Sequence, residues 1–199
     1  MKKIPTLFQR NPDDRRRVLP LVTPGCEWVL SGEGVATRKY DGTCVLIRRD
    51  GIAVIGFARR EVKPDKQPPP NFIETGTDEA TGKTMGWEPI AQSGFAKWFD
   101  EAVTNHNGDT DGSLTPGTYE LCGPKINGNP EGYEHHRLIP HDRAEVFPVL
   151  PTLLHFDGLR LHLQALGEAG FEGLVWHHPD GRMAKLKARD FPPTSSENT

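Results

Sequence analysis

The sequence predicts an α+β fold, and three observations carry the prediction. Two β-rich runs are each folded about a tight Asp-Gly: residues 43–49 against 52–57 around Asp50-Gly51, and 173–178 against 182–187 around Pro179-Asp180-Gly181. Only two stretches carry an apolar stripe at helical spacing. Glycine (21) and proline (18) together make up about a fifth of the 199 residues, which favours turns and short strands over long helices.

Residues 1–31 are mixed in polarity, and Arg15-Arg16-Arg17 is their densest positive cluster. The triplet reads first as a solvated face and second as a phosphate-facing surface. Residues 34–61 are strand-like. Both arms of this first hairpin are nearly continuous in apolar residues, so the expected sheet is covered on both faces. Lys63-Pro64-Asp65-Lys66-Gln67-Pro68-Pro69-Pro70 cannot form a regular element. It is read as a loop, long if it continues to Gly86, and loops of that length are often functional or mobile.

Residues 90–103 are expected to be helical, with Phe95, Trp98, Phe99, Ala102 and Val103 on one core-facing side. A short strand at 118–122 follows Pro116-Gly117. A polar loop rich in Gly, Asn and His is expected at 123–141, and a further strand at 144–150. Asp157 can cap a helix that carries Leu159, Leu163 and Leu166 and ends at Gly170. The polar tail 192–199 is expected to be disordered.

Composition narrows the function classes. Apolar residues are 35% and charged residues 26%, enough for a lean core under a large polar surface. No apolar run is long enough to span a membrane. The start Met1-Lys2-Lys3-Ile4-Pro5 lacks the apolar stretch of a secretory signal. Cys26, Cys44 and Cys122 lie far apart with no CxxC pair, which supports neither a disulfide framework nor a cysteine zinc knuckle. A reducing, cytoplasmic setting and no membrane partner are expected. A net charge of −3 argues against a protein coated in positive charge, but permits a locally basic groove.

Four short segments can carry chemistry. Lys39 precedes a tight Asp41-Gly42 at the mouth of an apolar strand pair. A lysine is a nucleophile only when its amine is neutral, which requires partial desolvation or neighbouring positive charge. Taken alone, Lys39-Tyr40-Asp41-Gly42 is a strand-entry turn with a surface lysine. Glu120 stands mid-strand between Tyr119 and Leu121, where a carboxylate needs a partner: a metal, a lysine or a ribose hydroxyl. Glu172 opens the second hairpin. Lys185 and Lys187 flank Leu186 on a strand, so both ammonium groups point to one face, an arrangement best tolerated around an anion such as a triphosphate. Taken singly, salt bridges and solvated lysines explain each of them.

In this order the set resembles motifs I, III, IV and V of the covalent nucleotidyltransferases, the superfamily of ATP-dependent DNA and RNA ligases and mRNA-capping guanylyltransferases. The segments are Lys39-Tyr40-Asp41-Gly42, Glu120-Leu121-Cys122-Gly123, Glu172-Gly173-Leu174-Val175 and Lys185-Leu186-Lys187. Within it, the chain is most similar to the compact 5'-3' RNA ligase 1 family, which has vertebrate and bacterial members. That likeness spans roughly residues 34–187. It rests on Ala36-Thr37-Arg38-Lys39-Tyr40-Asp41-Gly42-Thr43-Cys44, Arg59-Arg60-Glu61-Val62-Lys63-Pro64, Gly123-Pro124-Lys125-Ile126-Asn127-Gly128-Asn129-Pro130, Leu138-Ile139-Pro140-His141 and Glu172-Gly173-Leu174-Val175-Trp176-His177.

The resemblance implies one nucleotidyltransferase (ligase adenylation) domain over 1–191. It would have two mostly antiparallel sheets, flanking helices, ATP in the cleft between them and no OB-fold, since twelve residues follow Lys187. It implies an ATP-dependent RNA ligase joining 5'-phosphate and 3'-hydroxyl ends through lysyl-AMP and an adenylated RNA, with RNA repair as its role. Lys39 would attack the α-phosphate. Asp41 and Gly42 would shape the loop that presents it. Arg59 would grip phosphate or the RNA end, and Glu120 would accept from the ribose hydroxyls. Glu172 would hold a magnesium ion, for which manganese can substitute. Lys185 and Lys187 would neutralise phosphate charge. Phe147 is the candidate for stacking on adenine, with Phe156 as the alternative, although it begins a helix. Arg38 stands where many RNA ligases carry an acidic residue.

RNA affinity would come from Arg15, Arg16, Arg17, Arg59 and Arg60. His135, His136, His141, His177 and His178 show no cysteine or carboxylate support at zinc spacing and read as polar residues near the nucleic-acid end. The rival readings are a minimal ATP-dependent DNA ligase and a catalytically silent nucleotide- or RNA-binding module.

Overall fold

The computed structural model describes residues 3–79, 81–109 and 114–192. Its strands, in chain order, are β1 (Phe8–Arg10), β2 (Val18–Val22), β3 (Val35–Lys39), β4 (Thr43–Asp50), β5 (Ala53–Val62) and β6 (Ile73–Asp78). They continue with β7 (Lys83–Pro89), β8 (Gly117–Cys122), β9 (Arg137–Pro140), β10 (Gly173–His177) and β11 (Met183–Lys187). The α-helices are α1 (Glu27–Leu30), α2 (Ala96–Asp109) and α3 (Phe156–Glu168). The fold is α+β, with antiparallel pairing in every sheet. No described helix is long and apolar enough to cross a membrane.

Two compact units share the chain. One holds residues 1–3 and 41–143, the other 4–40 and 144–199. The chain leaves the second unit at Tyr40, one residue after Lys39, and returns at Ala144.

The first unit is built on a six-stranded sheet ordered β6-β7-β5-β4-β8-β9. The Asp50-Gly51 hairpin forms as read, with Asp50 opposite Ala53. Its sheet is not equally covered on both faces, however. Val45, Ile47, Ala58, Tyr119 and Leu121 are buried, while Cys44 and Leu46 are half-buried and Ile52 is fully exposed. Period two, rather than a continuous apolar run, sets burial here. Each buried Val, Leu or Ile contributes about 1.5–3 kcal/mol, and a one-residue slip would turn that whole set outward, so the register is fixed.

The buried face packs on α2 through Phe99 and Ala102, with Phe95, Trp98 and Val103 partly buried beside them. The expected stripe is therefore core. The expected helix 90–103 is instead a 3₁₀ turn (Ile90–Gln92) followed by α2, because Gly94 and Ser93 interrupt the helix between them.

Residues 63–72 are irregular, as read for 63–70, but the loop does not continue to Gly86, because β6 and β7 form a hairpin there. Its Thr- and Gly-rich sequence lacks apolar alternation on β6, and pairing with β5 through β7 supplies the order. Likewise β9 lies inside the expected loop 123–141 and completes the edge beside β8.

The second unit contains the ribbon β1-β2 and the three-stranded sheet β11-β10-β3. Ala36, Leu174, Trp176, Ala184 and Leu186 form its core face, with Leu159, Leu163 and Leu166 of α3 in the same cluster. The α3 stripe matches the reading, but its N-cap is His155, whose side chain accepts from Gly158 N, rather than Asp157. The expected strand at 144–150 is reduced to an extended segment along β3. Arg38 N donates to Glu145 O, Phe147 N donates to Ala36 O, and Thr37 and Val146 form an isolated bridge. Pro148 and Pro151 follow this short pairing, and among the described residues no further bridge to β3 is formed. Apart from Pro192, the tail 192–199 lies outside the described residues.

Candidate active site

Strand register puts the charged residues of the second unit in rows. Gly173 of β10 sits opposite Lys39 of β3 on one side and Lys187 of β11 on the other. The next row on the same face is Thr37, Val175 and Lys185. The neighbouring residues Ala36, Leu174 and Leu186 point to the core, so period two sends Lys39, Lys185 and Lys187 to the opposite face. The sequence-level reading of Lys185 and Lys187 as a one-sided pair holds, as half-buried positions flanking buried Leu186.

Glu172 precedes Gly173 and stands between the two strand-end lysines. Its Oε2 accepts from Lys39 Nζ at 2.5 Å, and its Oε1 accepts from Lys187 Nζ. The side chains are 8% (Glu172), 19% (Lys39) and 14% (Lys187) exposed. Burial pushes the Glu172 carboxyl up, but the Lys39 charge and the hydrogen bonds from both lysines outweigh it and hold the group below its ordinary 4.5. Lys39 Nζ also reaches Tyr40 O at 3.4 Å. Gly173 makes the row possible. Its φ is +153°, and a Cβ there would lie 2.7 Å from Lys187 Cα.

Three further features complete this unit. Arg38 projects from the other side of β3, its guanidinium 4.3 Å from the Phe171 ring centre and 4.7 Å from that of Tyr40, with Glu145 Oε2 at 3.6 Å. Phe147 is partly buried and packs on Phe171 at 5.3 Å between ring centres. Phe156 is buried differently, edge-on to Phe8 and Phe191. Finally, Arg15, Arg16 and Arg17 join Arg10 and Arg189 around a groove of about 660 Å³, with Asp14, Asp190 and Pro192 in its wall. Asp190 is buried. It receives Arg10 at 2.7 Å on one oxygen and the Lys187 backbone N–H at 2.9 Å on the other, so the groove is tied directly to the strand end that carries Lys187.

The first unit carries the remaining candidates. Glu120 on β8 faces Cys44 on β4 and Ile139 on β9, away from the buried Tyr119 and Leu121. Arg59 on β5 has the same face as Phe57, opposite the buried Ala58, and Phe57 is level with Leu46 of β4. Glu120 and Arg59 therefore share one side of the sheet. Arg60 points the other way, with Glu88 at 3.5 Å.

Asp41 and Gly42 form a braced turn. Asp41 N donates to Glu131 Oε1 at 2.8 Å, Gly42 N donates to Glu120 Oε1 at 3.2 Å, and Asn127 Nδ2 donates to both Asp41 Oδ1 (2.9 Å) and Gly42 O (2.8 Å). A Cβ on Gly42 would fall 2.7 Å from Cys122 Sγ and 2.9 Å from Glu120 Cγ. Gly42→Ala is expected to destabilise the protein by about 1–3 kcal/mol, as overpacking does, read as a lowered urea midpoint. An unchanged midpoint would show that the turn absorbs the methyl group.

Asn127 and Glu131 were not assigned roles at the sequence level. The signal for Asn127 is the turn-forming run Lys125-Ile126-Asn127-Gly128-Asn129, in which Asn127 (φ +48°) and Asn129 (φ +59°) take the left-handed conformation, and no local pattern marks Glu131. The histidine reading needs correction. His136 is buried, stacked on Trp98 and 2.8 Å from Glu101, so it belongs to the packing of this unit. His141 is 3.0 Å from Glu120 Oε2 and lies with Cys44 in one cluster, the cysteine and carboxylate support that spacing in sequence concealed. In the second unit, His178 pairs with Glu33 and Asp180, and His177 contacts Thr37.

Together these features define a class of site: a strand-end lysine held on a buried carboxylate beside a second lysine, within an α+β protein. The particular relatives are RNA ligases. The chain is 27% identical to RNA ligase 1 of Rattus norvegicus and of Mus musculus and 25% identical to that of Pongo abelii, each over 76% of this chain. It spans about 65% of the length of these relatives. No family model matches it. The chain is thus similar to RNA ligases at modest identity.

Proposed function

We propose that this chain is an ATP-dependent RNA ligase, with residues 1–191 as one nucleotidyltransferase domain whose two units each carry part of the motif set. The observation that carries the reading is the row Lys39, Gly173, Lys187 with Glu172 between the lysines. The RNA ligase 1 relatives support it from the side of sequence.

In the first step Lys39 Nζ attacks the α-phosphorus of ATP. A P–N bond forms, the bond to the β-phosphate oxygen breaks, and pyrophosphate leaves. Nζ must shed a proton to solvent before it attacks, and Glu172 Oε2 holds the amine in position. Lys187 and Lys185 then stabilise charge on the phosphates. In the second step a 5'-phosphate oxygen of RNA attacks the AMP phosphorus and the P–N bond breaks, restoring Lys39. In the third step a 3'-hydroxyl attacks the activated 5'-phosphorus, a phosphodiester forms and AMP leaves.

Glu120 accepts from the ribose hydroxyls, Asp41 and Gly42 present the nucleophile, and Arg59 grips phosphate. Phe147, the sequence candidate for stacking on adenine, is level with Ala36 and packs in the core cluster on the face opposite Lys39, so that role does not fall on it. Glu172 would hold a magnesium ion by giving up one of its two lysine contacts: its carboxylate is a hard oxygen ligand, and Mg²⁺ is commonly held by one or two carboxylates together with substrate phosphates. Bound there, Mg²⁺ or Mn²⁺ supplies positive charge at the α-phosphate. The groove of Arg10, Arg15, Arg16, Arg17 and Arg189 offers charge to the RNA backbone.

Matched nicked RNA and nicked DNA duplexes test the assignment. Sealing of RNA well above DNA is expected, and equal sealing would favour the DNA ligase reading. Failure of α-labelled ATP to label the protein would remove the enzyme reading altogether.

A further inference from the structure

We propose that Cys44, Glu120 and His141 form a binding site for a divalent ion of the zinc class, and that filling it blocks self-adenylation. The second half rests on the role proposed above for Glu120.

The site follows from register. Cys44 and Glu120 are cross-strand partners on β4 and β8. His141 follows the last residue of β9, whose Ile139 is the partner of Glu120 on its other side. One donor atom from each residue, a sulfur, a nitrogen and an oxygen, lies within 4.8 Å of the other two. Ligand atoms around tetrahedral zinc are roughly 3.3–3.5 Å apart, given metal–ligand bonds of about 2.0–2.3 Å. Cys44 and His141 are half-buried, and a small side-chain rotation of either would close the remaining gap, while buried Glu120 is anchored through Oε1 to Gly42 N.

The imidazole is already prepared. Nε2 faces Glu120 Oε2 at 3.0 Å, and Nδ1 faces Thr118 Oγ1 at 3.0 Å. A hydroxyl either donates or accepts. Without metal, Nε2–H can donate to Glu120 while Nδ1 accepts from Thr118. With metal, Nε2 turns its lone pair to the ion and Nδ1–H donates to Thr118, the outer contact that characterises histidine ligands. Binding releases the thiol proton of Cys44.

The donor set also chooses the ion. A thiolate and an imidazole favour Zn²⁺ or Co²⁺, whereas Mg²⁺ takes oxygen ligands and belongs at Glu172. Three protein donors leave a fourth position for water. Once Glu120 Oε2 ligates the ion it is no longer available to ribose hydroxyls.

Cobalt titration of the full chain, stripped of metal and without nucleotide, reads the site directly. One equivalent of Co²⁺ is expected to produce a thiolate-to-cobalt charge-transfer band that Zn²⁺ abolishes. The band should vanish in Cys44→Ser, and Thr118→Val should weaken binding by about 10–100-fold, as loss of an outer contact does. Absence of the band, its persistence in Cys44→Ser, or undiminished binding in a folded His141→Asn overturns the metal site.

Adenylation in Mg²⁺ then reads the consequence. Zn²⁺ is expected to inhibit the wild type, while Cys44→Ser remains resistant. Equal inhibition of both overturns the inhibitory role. A protein that binds Co²⁺ as described but never forms an adenylate would refute the ligase reading and leave the metal site standing.

Discussion

Lys39→Ala is expected to eliminate the covalent adenylate. After incubation with ATP and Mg²⁺, the intact mass of the wild type should rise by one AMP and that of the variant should not change. The expected loss exceeds about 10³-fold, the scale on which removal of a covalent nucleophile acts. Lys39→Arg separates chemistry from structure. Arginine keeps a positive charge to face Glu172 but is always protonated and cannot attack. It should therefore retain the wild-type urea midpoint closely while forming no adenylate. Even Lys39→Ala leaves Glu172 paired with Lys187, so its effect on stability should be modest. An adenylate that survives in Lys39→Arg, or that maps to a peptide lacking Lys39, would end the proposed mechanism.

Glu172→Gln is expected to have the largest effect on stability. The carboxylate accepts from two ammonium groups at once. Glutamine offers one acceptor oxygen and turns an NH₂ group toward the other lysine, leaving two poorly hydrated cations side by side. Removing one member of a buried ion pair costs about 3–5 kcal/mol. Because Lys39 and Lys187 are 19% and 14% exposed, water screens part of this, and about 2–3 kcal/mol is expected.

The pH dependence has a defined sign. The native Glu172 carboxyl lies below its ordinary 4.5, so its ionised form stabilises the fold. That contribution is complete above 4.5 and is lost as pH falls below it through the depressed native value. The gap in urea midpoint between wild type and Glu172→Gln should thus be full near neutrality and shrink under acid conditions. A gap that is constant across this range would mean that the carboxylate charge is not what holds the three side chains together. Adenylation should also fall in the variant, since the amide no longer holds both lysines in position.

Much of the fold was legible because its signals were local. Asp-Gly turns between β-rich runs gave both hairpins, and helical spacing gave the buried stripes of α2 and α3. The failures had non-local causes. Strands β6 and β9 have weak patterns of their own and are ordered by pairing with β7 and β8. At β4 and β5 a nearly continuous apolar run concealed a sheet with one strongly buried face, because Cys44, Leu46 and Phe57 differ little from Val45, Ile47 and Ala58 in apolar character. His155 rather than Asp157 caps α3, which depends on the path of the chain entering the helix.

The candidate site divides along the same line. Order and type of residue singled out Lys39, Glu120, Glu172, Lys185 and Lys187, since chemistry needs those functional groups and strand parity fixes the side to which each lysine points. The ribose role of Glu120 and the phosphate role of Arg59 are proposals built on resemblance, whereas the pairing of Phe147 with Ala36 turns its ring to the core face, away from Lys39.

What the linear chain determined by itself was the set of functional groups and the local conformations that present them, because turns, caps and parity act over a few residues. What only the tertiary structure decided was which groups meet. Gly173 is 134 positions from Lys39, yet strand pairing makes them neighbours, and similar pairing sets Cys44 and Glu120 side by side with His141 close to both. Hydrogen-bond register between distant segments creates those distances, and no local pattern encodes a register shared by strands so far apart.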